Sequence, residues 1–165
     1  MLTQMGEVTQ TGEVTQTGEE LSNKLNKYKT IETPSILLLS SLFFITNAAT
    51  AFFNEYYLYS FLFSILTTTS LVVHYNDTVY TNLIDKAAVS SVVIYGGYVT
   101  FTNINPDKCI HCFAIMVTFL LCVYLYVYGF IVKEYCFCEE KCTAQKYHFF
   151  MHIISSIGHH FIIFL

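Results

Sequence analysis

Five long apolar blocks, over 35–53, 56–74, 83–102, 109–132 and 147–165, limit what this chain can fold into. Each is close to the roughly 17–25 residues that a helix needs to cross a bilayer. Between them lie only short polar turns, such as Asn54-Glu55 and the 103–108 stretch containing Pro106. In lipid every backbone N–H and C=O must be paired internally, which a helix achieves within its own segment. Blocks this long and continuous, without two-residue alternation, are helical in character. The expected fold is therefore all-α: a polytopic transmembrane bundle of about five spans over 35–165.

The rest of the composition agrees. Hydrophobic residues make up 54% of the 165 positions and charged residues 12%, which leaves no room for a second, soluble domain. The net charge is −4, and no basic stripe exists to track a phosphate backbone, so nucleic acid is not an expected partner. Residues 6–20 repeat Gly-Glu-Val-Thr-Gln-Thr, a polar pattern with too little apolar surface to fold. The segment 1–34 is expected to be a disordered tail followed by a juxtamembrane stretch, in which Leu21, Leu25 and Tyr28 suit a short surface helix. The first apolar block then reads as an anchor and not a cleavable signal. All eight basic residues are lysines; five spans put Lys24, Lys27, Lys29, Lys86, Lys133, Lys141 and Lys146 on one side and Lys108 alone on the other. The positive-inside rule makes the richer side, and the N-terminus, cytoplasmic.

Against this apolar background, Ser70, His74, Asp85, His148 and His152 stand out. Ionisable groups are costly in a membrane helix and usually face partners there. Ser70 and His74 are four residues apart, as are His148 and His152, so each pair shares a helix face. With five spans, the ends carrying His74, Asp85 and His148 all fall on one side of the membrane. Three neutral imidazoles are a ligand set for catalytic zinc, whose open position takes a water and lowers its pKa toward about 7. Asp85 can relay that water's proton or orient a ligand histidine, and Ser70 can donate to a developing oxyanion. The plainer alternatives are an interfacial histidine, a chance His-x-x-x-His, and a serine bonded to its own helix. Convergence of all five on one side favours a shared site over each of them.

This ordered set resembles the CREST superfamily, which includes the alkaline ceramidases and the progestin and adiponectin receptors. The matching elements are Ser70 four residues before His74, Asp85 eleven after it, and the late pair His148 and His152. The resemblance covers residues from about 66 to 160. It implies zinc held by His74, His148 and His152, with Asp85 and Ser70 catalytic, in a hydrolase of a lipid amide or ester. It also implies a membrane lipid as substrate and the bilayer as partner. Family members have seven spans and this chain about five, so the lipid pocket is open, reshaped, or completed by a second copy in a homo-oligomer. The acidic calcium site of the ceramidase branch has no counterpart here, which counts against ceramide itself.

A receptor-like or scaffold membrane protein with a structural metal site is the alternative. His159 shares the face of His148 and His152 but lies about 10 Å deeper than His152; it can line the cavity, or pack and bond. His160 points about 100° away and is expected to be structural. Cys136, Cys138 and Cys142 form a loop cluster with metal-binding or lipidation potential but no recognised four-ligand spacing.

Overall fold

A computed structural model describes residues 33–165, with side chains from Ile36 onward. The repeat tail, the surface helix and the first three lysines expected within 1–34 lie outside the described residues. From Pro34 the chain forms one unit. Its helices are α1 (Thr33–Ser41), α2 (Phe43–Phe53), α3 (Tyr57–Tyr75), α4 (Val79–Asn103), α5 (Cys109–Val123), α6 (Gly129–Val132) and α7 (Lys141–Ile163). Among the described residues there is no strand.

Three segments are long and apolar enough to cross a membrane: Ile36–Phe53, Tyr57–Tyr75 and Pro106–Val132. The first joins α1 to α2 through a break at Leu42. Ser40 and Ser41 both turn their hydroxyls onto the Leu37 carbonyl, at 2.9 and 3.0 Å, and adjacent serines bonded back in this way bend helices. The third joins α5 to α6 through a π-helical turn at Tyr124–Tyr128. The helices α4 and α7 are long enough but less apolar, because α4 carries Asp85 and Lys86 and α7 carries four of the six histidines, His148, His152, His159 and His160.

Two helices begin earlier than their apolar blocks. Thr78 caps α4 in a reciprocal capping box with Thr81, so the helix starts at Val79. Asp85 is thereby placed in its second turn. The helix α7 starts at Lys141, and its opposite end is capped by Lys108, whose Nζ reaches the Phe164 and Leu165 carbonyls at 2.8 and 2.5 Å.

Packing centres on α3, which lies between α2 and α4, while α7 packs on α2, α4 and α5. Phe44, Ala51, Tyr59, Phe63, Leu66, Ala88, Val92, Val99, Ile162 and Ile163 form the core. Polar bonds stitch α7 to its neighbours: Asn47 donates to the Ser156 carbonyl at 2.9 Å and accepts from the Ser156 hydroxyl at 2.6 Å. Interhelical bonds of this kind, with small residues, hold membrane helices together.

Gly96 and Gly97 both suit close helix approach by sequence, but only Gly96 sits at a contact. A Cβ on Gly96 would lie 2.5 Å from the Tyr59 hydroxyl, whereas one on Gly97 meets nothing within 4 Å among the described residues. Gly96→Ala should lower the melting temperature in detergent and Gly97→Ala should not. Removing the offending oxygen should relieve the clash, so Gly96→Ala combined with Tyr59→Phe should be milder than the sum of the two changes. Equal melting of both single alanine variants would refute this packing.

Candidate metal centre

The histidines arrive from two helices far apart in sequence. His74 lies in the last turn of α3, while His148 and His152 occupy successive turns on one face of α7. Their ring centroids are 5.3 Å (His74–His148), 5.5 Å (His74–His152) and 4.7 Å (His148–His152) apart. One ligand nitrogen from each lies within 4.8 Å of the others. Three nitrogens on a tetrahedral zinc, each about 2.0–2.1 Å from the ion, stand about 3.3 Å apart.

A second observation bears on whether the residues fit a metal. His74 Nε2 is buried and has no hydrogen-bond partner among the described residues. A buried polar nitrogen without a partner costs about 1–3 kcal/mol, and a metal ion is one way to recover it. The donor set, three imidazoles without a thiolate, is that of catalytic zinc. The residues therefore fit the ion.

Beside the rings lies a hydroxyl–carboxylate pair. Ser70, one turn from His74 and 1% exposed, donates to Asp85 Oδ1 at 2.8 Å. Thr69 approaches the same oxygen at 2.9 Å, sharing its proton with the Leu66 carbonyl at 3.1 Å. Asp85 Oδ2 has no side-chain hydrogen bond among the described residues. The Ser70 proton, expected to face an oxyanion, is thus already engaged by Asp85. Ser70 acts here as the anchor of the carboxylate.

Two participants escape sequence reading. Thr69 is one of three consecutive threonines, Thr67–Thr69, with nothing to single it out. Ser40, in the last turn of α1, places its Oγ 2.8 Å from His152 Nδ1. In an apolar helix such hydroxyls look like ordinary backbone-bonded residues, and only the packing shows which ones turn toward the site.

The remaining candidates lie elsewhere. His159 is buried at Tyr59, whose hydroxyl bonds its Nδ1, with the Phe63 ring 5.1 Å from its own. His160 bonds Asn47 at 2.7 Å. Neither belongs to the three-histidine cluster. Cys136, Cys138 and Cys142 are free thiols and join no metal-capable group among the described residues. Burial pushes the Cys136 thiol up to about 11, which disfavours the thiolate that ligation requires. Comparisons with protein-family models, curated proteins and solved structures found no match to this chain.

Proposed function

We propose that this protein is a zinc-dependent intramembrane hydrolase of a lipid amide or ester. The observation that carries the reading is the meeting of His74, His148 and His152, with the Ser70–Asp85 pair one turn away. Zinc, when bound, supplies Lewis acidity, polarising a carbonyl and acidifying water toward a pKa of about 7. The three histidines hold it. Asp85, fixed through Oδ1 by Ser70, keeps Oδ2 available to take a proton from the attacking water and return it to the leaving group.

The surrounding helices suit a lipid. Large apolar side chains face outward along α2, α3 and α5, including Phe53, Phe61, Ile110 and Phe113, so acyl chains can reach the bundle from its sides. In this reading α4 and α7 also span, giving five crossings. Their polar residues do not forbid it, because Asp85, His152 and His159 are partnered inside the bundle. The lysine asymmetry then places the N-terminus and the metal centre on the cytoplasmic side. In a variant whose only cysteine is Cys142, an impermeant thiol reagent should label from the cytoplasmic face; labelling from the opposite face alone would reverse the orientation.

The burial of His152, 6% exposed, and the internal engagement of Ser70 also suit a structural metal site in a receptor-like or scaffold protein. Turnover separates the two readings. Purified protein should hydrolyse a member of a panel of ceramides, lysophospholipids and phospholipids, and the activity should require Asp85. A second copy of the chain is the proposed source of any missing pocket wall, visible as a homo-oligomer in detergent.

A further inference from the structure

We propose that Ser40 is a positioning residue for His152, fixing which ring nitrogen that histidine offers to a metal. The inference rests on the metal-centre reading above and adds a residue from the first apolar segment.

Ser40 Oγ lies 2.9 Å from the Leu37 carbonyl and 2.8 Å from His152 Nδ1. A hydroxyl has one proton and a carbonyl can only accept. The Ser40 proton therefore goes to Leu37, and its lone pair accepts from His152 Nδ1–H. A neutral imidazole protonated at Nδ1 carries its lone pair on Nε2, so Nε2 is the ligand atom. Ser40 is 0% exposed. Phe44, one turn further along, packs its ring 5.1 Å from the His152 ring and restricts ring rotation. The break at Leu42 is what lets α1 aim Ser40 at α7 while α2 continues along the core.

Histidine ligands commonly donate their second ring N–H to an acceptor, and losing that acceptor typically costs about 10–100-fold in metal affinity. The neighbour Ser41 supplies an internal control: it is also 0% exposed and bonded to the Leu37 carbonyl, with no bond to a histidine.

The experiment is zinc titration of the detergent-purified full chain against a competing chelator. Ser40→Ala should bind about 10–100-fold more weakly, and Ser41→Ala close to wild type. Equal affinities for wild type and Ser40→Ala, or equal losses in both alanine variants, would overturn the assignment. A readout without zinc keeps the two readings apart. In 15N-histidine NMR of the metal-free wild type, His152 should be protonated at Nδ1 and bare at Nε2, and Ser40→Ala should shift that balance toward Nε2–H. The opposite tautomer in the wild type would remove Ser40 from its role. Wild type with this tautomer but no zinc binding would instead sink the metal-centre reading alone.

Discussion

Wild-type protein purified in detergent is expected to carry one zinc per chain, and the His148→Ala/His152→Ala variant none. The double change removes two of three ligand nitrogens now within 4.8 Å of one another, leaving His74 alone on α3. A single neutral imidazole is too weak a site to retain zinc through purification, whereas three are the ligand number of catalytic centres. The same contrast should appear as heat stability. A ligand that binds only the folded state stabilises by about 2.7 kcal/mol when its free concentration is 100 times its Kd. Added zinc should therefore raise the melting temperature of the wild type and leave the double variant unmoved. Elemental analysis is the deciding measurement: zinc well below one per chain, unchanged by removing both histidines, would dissolve the proposed centre. Tyr59→Phe, which disturbs only the deeper His159 contact, should leave the zinc content intact.

The parts of this arrangement that could be read from the residues are those set by period and length. Four-residue spacing puts His148 and His152 on one face of α7 and Ser70 beneath His74 on α3. The apolar blocks locate three segments able to cross a membrane. Helix starts are less visible, because hydropathy reports where side chains become apolar and not where hydrogen bonding begins. Capped by Thr78, α4 begins at Val79, four residues before the apolar block does, and α7 begins at Lys141, six residues before Tyr147. Partner choice is less visible still. Gly96 and Gly97 are identical in sequence terms, yet a Cβ at one of them alone would strike Tyr59. Ser40 and Ser41 are equally alike, and a rotation of one residue around α1 decides that Ser40 meets His152. Such distinctions arise from the relative rotation and depth of helices distant in sequence, which no local pattern encodes.

Asp85→Asn should abolish most of the turnover without releasing the metal. Asparagine has nearly the shape of aspartate, and its carbonyl oxygen can still accept the Ser70 and Thr69 hydroxyls that now reach Oδ1 at 2.8 and 2.9 Å. The second oxygen becomes an amide nitrogen, which has no lone pair to take a proton. Positioned proton transfer contributes typically 10²–10⁴-fold, so kcat should fall by about that factor while zinc stays at one per chain. Ser70→Ala acts on the same carboxylate from the other direction. It leaves Asp85 basic but held only by Thr69, whose proton is shared with the Leu66 carbonyl, so activity should be reduced less than in Asp85→Asn. Removing Thr69 and Ser70 together should bring the loss closer to that of Asp85→Asn, with the metal still in place. Because the acyl chain is proposed to lie among the apolar helices, a water-soluble substrate analogue lacking it should react poorly even with the wild type. Zinc-loaded protein that shows no Asp85-dependent turnover across ceramides, lysophospholipids and phospholipids would shift the assignment to a receptor-like protein whose metal is structural.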